Sequence, residues 1–333
     1  MKTRPVGKTN LRVSEISLGC WTLGGKNWAQ GGGERAGGQS IGWADVDPAE
    51  AARGVHRAVE LGVNHFDNAD IYGNGHAERF LAQSLGDKSS HVLIATKVGH
   101  FWGTARHCYE PQHIRHQCEQ SLVNLKRDVI DIYYFHHGDF GPNEVYLDDA
   151  VAMMHTLREE GKIRAIGLSA YSTERFQTLV PRIQPDILQG HCNILHDEFI
   201  HPEKAVSRLC KERGITFVTF GPLSQGVLLG KYNSANPPSF EDGDHRKNAE
   251  RFSAAYLARV EGPLAEVKAR FGGSIPELAR VALQYNLAHE TVACTIPGFR
   301  NVSQVETNLA HTDKPLTAEE VSAIRKWFAG FNG

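Results

Sequence analysis

The sequence predicts an α/β fold, a (β/α)8 TIM barrel with an N-terminal β-hairpin and an extra C-terminal helix. Three observations carry that prediction. Short apolar runs, often β-branched, alternate about eight times with longer stretches of helical periodicity, the pattern of parallel strands joined by crossover helices. No low-complexity tract or Pro-rich linker interrupts the alternation, so residues 1–333 read as one barrel domain. The first strand runs into GCWTLGG rather than G-x-G-x-x-G, which disfavours the competing doubly wound open sheet.

Each element follows from its own residues. Gly7 and Asn10 lie between short extended runs and predict a small hairpin able to plug the bottom of the barrel. Ser14–Cys20 is the expected first barrel strand, followed by a helix near Pro48–Gly62. The next pairs are His65–Ala69 with His76–Leu85, Val92–Val98 with Pro111–Leu125, and Val129–His136 with Leu147–Glu160. Ala165–Ala170 precedes a helix from Thr173, and Ile187–Asn193 precedes one near Glu203–Arg213. Thr216–Phe220 leads through a long loop into helices that reach about His289. Thr291–Pro297 is the last strand, with Val302–Leu309 as its helix. The tail Thr317–Phe331 reads as one more helix, capped by Thr317 with Glu320 in capping-box spacing. Two loops, Gly24–Val46 and Ser224–Ser253, are long and follow the C-terminal ends of strands, where barrel enzymes build their sites. Within the first, Gly31–Gly38 lacks the strand-turn-helix setting of a phosphate loop and reads as a flexible lid segment.

Composition narrows the function classes. Hydrophobic residues are 41% and charged residues 22% of the chain, ordinary for a globular protein. Net charge is −2 and the pI is near 6.8, which leaves no basic excess for nucleic acid. No apolar run approaches the roughly 20 residues of a membrane span. The opening MKTRPVGKTNLRVSE lacks a signal-peptide core, and the six cysteines form no C-x-x-C pair. The expectation is a cytoplasmic protein with reduced thiols.

In a barrel, polar residues at strand C-terminal ends face the active-site mouth. FDNADIYG supplies Asp67 and Tyr72, ATKVG supplies Lys97, and DIYYFHHGD supplies His136 and His137. Burying such groups is costly unless they pair with one another. Together they make sense as a tuned proton donor. A Lys⁺ lowers the pKa of a nearby phenol, an acid holds the lysine charged, and an imidazole orients a carbonyl oxygen. Side chains cannot supply a hydride, so a cofactor is implied. A Schiff-base lyase using Lys97 is a competing reading, opposed by Asp67, which keeps the amine charged.

On these residues the chain resembles the aldo-keto reductases over nearly its whole length, closest to the long-loop bacterial and channel-β-subunit-like members. RPVGKTNLRVSEISLG is similar to the family's N-terminal hairpin and first strand. The resemblance implies a catalytic tetrad of Asp67, Tyr72 five residues on, Lys97 and His136, the last selected over His137 by its spacing from Asp131. It implies NADP (NADPH) as cofactor and a small-molecule carbonyl as substrate, with Tyr72 as general acid. The implied cofactor residues are Trp21, Ser169, Gln189, Phe220, Gly221, Pro222, Leu223 and Ser224, with Lys231 near the pyrophosphate. Gly298, Arg300, Gln304 and Asn308 fall at the adenosine-phosphate end, where Arg300 would clamp a 2′-phosphate. The chain departs from the family at Ala170, where Asn is common, at Gln304, where Arg is common, and at Thr307, where Glu is common. Some members with this loop pattern serve as cofactor-sensing subunits of channels, which makes a regulatory subunit with weak reductase activity the runner-up. An oligomer is compatible with all of these readings.

The remaining candidates have plainer readings. His113 and His116 are expected on a solvated helix face, with no third ligand to make a metal site. Trp28, Trp43, Phe101, Trp102 and Tyr109 are expected to form a substrate wall at the mouth. His137 is expected to face away from it. His191 and His196 flank the end of the sixth strand, and Cys20 and Cys192 read as small core residues.

Overall fold

The computed structural model describes residues 1–27 and 40–331. It opens with an antiparallel hairpin of β1 (Thr3–Pro5) and β2 (Arg12–Ser14). Eight parallel strands follow in chain order: β3 (Leu18–Gly19), β4 (His65–Asp67), β5 (Leu93–Val98), β6 (Ile130–Phe135), β7 (Ile163–Ser169), β8 (Ile187–His191), β9 (Thr216–Phe220) and β10 (Val292–Ile296). Each pairs with its sequence neighbours. Parallel bridges Ile16 to Thr295 and Gly19 to Gly298 then join the first strand to the last and close the barrel. The expected first strand, Ser14–Cys20, is shorter than its apolar pattern suggests. Ser14 pairs in the hairpin, and only Leu18–Gly19 joins the ladder with β4.

The helices are α1 (Pro48–Glu60), α2 (His76–Leu85), α3 (Pro111–Leu125), α4 (Leu147–Glu159), α5 (Thr173–Ile183), α6 (Ala205–Arg213), α7 (Ala254–Phe271), α8 (Ile275–Leu287), α9 (Val302–Leu309) and α10 (Ala318–Trp327). Local chemistry sets their starts. Asp47 accepts from the N–H groups of Ala49 and Glu50 ahead of Pro48, and Thr317 and Glu320 form the expected capping box. Asn301 caps α9 through Gln304 N–H. Ser224–Ser253 is not a bare loop, for it contains 3-10 turns at Ser224–Leu229, His245–Asn248 and Glu250–Phe252. The Gly31–Gly38 stretch lies outside the described residues.

Strand alternation sorts side chains into an outer core against the helices and an inner one within the barrel. The inner layer joins Ala95, Ile132, Ala165, Ile187 and Val218 to Val6, Leu11 and Val13 of the hairpin. The hairpin therefore plugs the barrel floor. Tyr134 lies across Gly167 on the neighbouring strand, where a Cβ would sit 2.2 Å from its ring, so only glycine fits there. Two residues above Ala95 and Ile187, on the same inward face, come Lys97 and Gln189. The apolar floor thus passes directly into a polar layer at the mouth.

Candidate active site

That polar layer brings Asp67, Tyr72, Lys97 and His136 together. Lys97 is fully buried, and its Nζ donates to Asp67 Oδ1 at 2.5 Å and to the Asn68 carbonyl at 2.6 Å. The Tyr72 hydroxyl lies 3.4 Å from the same Nζ. The rings of Tyr72 and His136 meet edge to face at 5.8 Å. The other oxygen of Asp67 accepts from Gln189 Nε2 at 2.7 Å. Strands β4, β5 and β8 therefore each contribute to one cluster, with Tyr72 supplied by the turn after β4 and His136 by the position just after β6.

Its electrostatics correct one expectation. The Tyr72 phenol is held well above its ordinary pKa, by burial first and then by the Asp67 carboxylate. The reason is that Lys97 hands its charge to Asp67 at close range and reaches the phenol only at a distance, so the ammonium does not offset the loss of water. Tyr72 thus rests as a loaded phenol. Burial, followed by the His100 and Lys97 charges, pushes His136 well below the usual imidazole range. It is neutral, and its Nδ1 is buried with no partner among the described residues.

The other predicted residues surround this cluster. Ser169 is buried at the end of β7, with Ala170 buried beside it. Phe220 ends β9, 6.5 Å from the Tyr171 ring. Gly221, Pro222 and Leu223 lead into a strained turn in which Ser224, Gln225 and Gly226 all take positive φ, at 45°, 56° and 97°. Trp21 stacks on Tyr72 at 6.1 Å and 27°. At the far end, exposed Gly298 accepts at its carbonyl from Asn308 Nδ2, and Gln304 Oε1 accepts from the Arg300 backbone N–H. The side chains of Arg300 and Lys231 make no ion pair among the described residues, yet each lies within electrostatic reach of the other. Sequence reasoning missed two neighbours. Half-buried Arg251 also has no carboxylate partner among the described residues, and Gln225 holds a buried Oε1 without a partner. Unpaired cations beside an orphaned acceptor suit a ligand carrying both phosphate and hydroxyl or amide groups.

Other expectations change. His113 is buried rather than solvated, and its Nε2 bonds the Phe101 carbonyl at 2.8 Å; His116 is exposed. Tyr109 is fully buried core, its hydroxyl donating to the His137 carbonyl at 2.7 Å, because its ring fills the space beside Phe135 and Phe140. It cannot line a mouth. Trp43 packs edge-on against Trp21 at 5.4 Å, Trp102 packs against His107, and Trp28 lies outside the described residues. Among the described residues no group of His, Cys, Asp and Glu is arranged to hold a metal, and no helix is long and apolar enough to cross a membrane.

The Aldo/keto reductase family model matches residues 15–328. The chain belongs to the aldo/keto reductase family. It is 31% identical to Uncharacterized oxidoreductase Mb2320 of Mycobacterium bovis, over 94% of this chain and 88% of that one. It is 28% identical to the NADH-specific methylglyoxal reductase of Escherichia coli, over 98% of this chain and all of that one, at 100%. Among solved structures, the holo form of aldo-keto reductase AKR11C1 from Bacillus halodurans superposes with a TM-score of 0.74 at 27% identity, covering 98% of this chain and 96% of that one. Membership makes this aldo/keto reductase a nicotinamide-dependent oxidoreductase of carbonyl compounds. The two missed residues left only a faint signal: Gln225 follows Ser224 in the stretch already singled out, and Arg251 sits in the long loop after it.

Proposed function

We propose that this aldo/keto reductase uses NADPH to reduce small aldehydes or ketones to alcohols, with Tyr72 as the general acid. The observation that carries the reading is the Asp67–Lys97–Tyr72 chain, which ends on a protonated phenol beside a neutral imidazole. Lys97 is buried in an ion pair with Asp67 rather than in an apolar pocket, which argues against Schiff-base chemistry. His136 offers a neutral N–H to the carbonyl oxygen and so orients it. NADPH held there would supply the hydride. Tyr72 would pass its proton to the carbonyl oxygen, and the resulting phenolate would face the Lys97 ammonium. Tyr72 is partly exposed, so it can be reprotonated from solvent.

Arg300, with Lys231 within its electrostatic reach, supports NADPH over NADH, since neither forms an ion pair with a carboxylate among the described residues. Ser169, Gln189 and Phe220 are read at the nicotinamide end, Gly221 to Ser224 along the pyrophosphate, and Gly298, Gln304 and Asn308 at the adenosine end. Trp21 is read as the wall beside Tyr72. We take residues 1–333 as one functional barrel acting in the cytoplasm. Fluorescence titration with NADPH and NADH, then a carbonyl panel on wild type and Tyr72→Phe, tests the reading. Unchanged turnover in Tyr72→Phe would remove the phenol from the reaction.

A further inference from the structure

The described end of the first long loop, Ser40 to Ala44, bonds the second at Gly243 to His245, and His245 sits at the junction beside Trp21. Its backbone N–H donates to the Gly42 carbonyl at 3.0 Å. Its ring Nδ1 lies 3.2 Å from the same oxygen. A carbonyl only accepts, so Nδ1 carries the proton. That leaves Nε2 to accept from Gln225 Nε2, 2.6 Å away. The ring also packs against Trp21 at a 37° tilt, 4.4 Å between centroids, and meets Trp43 edge-on at 4.7 Å.

The surroundings hold this arrangement. Asp244 and Arg246 form a buried ion pair at 2.5 Å, and the guanidinium lies 4.5 Å over the Trp43 ring. Ala44 N–H donates to Asp244 at 3.3 Å, and the Ser40 hydroxyl donates to the Gly243 carbonyl. A Cβ on Gly42 would come within 2.2 Å of Asn27 N and 2.5 Å of the Gly25 carbonyl, so the first loop's fold back on itself, which presents the Gly42 carbonyl to His245, depends on that glycine. A continuous line of contacts results: Gln225 in the strained turn, His245, Trp21, Tyr72.

We propose that His245 is a positioning residue that couples the Gln225 turn to the Trp21 wall, so that a dinucleotide held by that turn sets the shape of the carbonyl pocket. The coupling rests on the function proposed above. Gln225 has one amide end on His245 and the other, Oε1, without a partner among the described residues. A ligand donor that engages Oε1 orients the whole amide, and Nε2 then pins His245 and, through it, Trp21 against Tyr72. His245 touches neither the reacting carbon nor the oxygen. Its influence falls on how tightly the carbonyl compound is held once cofactor is bound.

Two conservative substitutions separate the ring's two bonds. His245→Asn can keep the donor to Gly42 and loses the acceptor for Gln225. His245→Gln can keep the acceptor and loses the Gly42 donor. The expected result is a carbonyl KM about five- to tenfold higher in His245→Asn, the effect of one lost hydrogen bond with its ring contact, with a smaller change in kcat and partial rescue in His245→Gln. Gln225→Ala, on a part-exposed turn, gives a matching KM rise, and its effect does not multiply with that of His245→Asn in the double variant. Circular dichroism and thermal midpoints confirm that each variant is folded, and the Gln225→Ala arm stands alone where a His245 variant is not. Unchanged KM in the single variants, or losses that multiply in the double, overturn the coupling. Wild-type turnover accompanied by that result overturns the coupling alone; a wild type that binds neither NADPH nor NADH overturns it together with the reading on which it rests.

Discussion

Gln189 and Lys97 divide the carboxylate of Asp67 between them, Nε2 of one on Oδ2 at 2.7 Å and Nζ of the other on Oδ1 at 2.5 Å. All three groups are buried, and they come from three different strands. An acid gripped at both oxygens cannot swing, so the ammonium it holds has a fixed place below Tyr72.

Removing one grip is therefore costly. Gln189→Leu leaves an Asp67 oxygen buried without a donor, at a cost of about 1–3 kcal/mol. Urea denaturation reads that loss, and kcat falls with it. Unchanged stability would mean that Asp67 finds water or another donor in place of the amide.

Asp67→Asn strips the fully buried Lys97 of its counter-charge. The expected destabilisation is about 3–5 kcal/mol. The double variant Asp67→Asn/Lys97→Met recovers most of the stability and none of the activity. A single Asp67→Asn variant as stable as wild type would show that the ammonium is satisfied by Asn68 alone.

Tyr72→Phe deletes one hydroxyl beside the Trp21 ring and leaves the packing in place. Cofactor affinity measured by fluorescence stays within about twofold, while kcat for aldehyde reduction drops by roughly 100- to 10,000-fold, the usual range for a lost general acid.

Arg300→Gln, set beside Lys231→Met, discriminates between the two dinucleotides. Each weakens NADPH binding by about tenfold or more, the worth of a charge-assisted contact; Arg300→Gln leaves NADH binding nearly unchanged, whereas Lys231→Met, on the shared pyrophosphate, weakens it as well. Equal losses for both dinucleotides in Arg300→Gln would place that cation on the pyrophosphate too rather than on a 2′-phosphate.

Several buried imidazoles resist protonation. Burial lowers His65, His245 and His289 to about 4 and His191 to about 3. An unfolded chain takes up these protons from about pH 6.5 downward, whereas the folded one does not until far lower. The stability they contribute is complete above about pH 6.5 and is lost as pH falls from there toward 4. Buried Asp70, whose pKa is raised, works in the opposite sense and loses stability as pH rises. Denaturation midpoints between pH 7 and 4.5 are expected to fall, and replacing fully buried His65 by Asn to flatten the slope.

The barrel, and the meeting of Asp67, Tyr72, Lys97 and His136 in one cluster, were legible because both are written in local patterns. The alternation of strand and helix gave α2, α3, β9 and α9 to the residue. Strand-end position brought Asp67, Lys97 and His136 to one mouth. What stayed hidden depends on partners far away in the chain. Nothing near Gln189 announces Asp67, and nothing near His245 announces Gly42 and Trp21. His113 was misread for the same reason: its helix face looked polar, but the loop at Phe101 covers it. The resting state of Tyr72 was also misjudged, since a list of charged neighbours does not say which of them have already neutralised one another.

The seam between Ile16 and Gly19 on one side and Thr295 and Gly298 on the other has a meaning for how the chain is made. During synthesis the N-terminal residues emerge first, yet their partners arrive some 280 residues later (295 − 16 = 279). Until then the growing sheet has two raw borders, β3 and whichever strand came last, each offering unsatisfied amides to any passing strand. A ribosome that stops short of Val292 releases a ring that cannot shut, and such products are expected to aggregate rather than persist as smaller folded units.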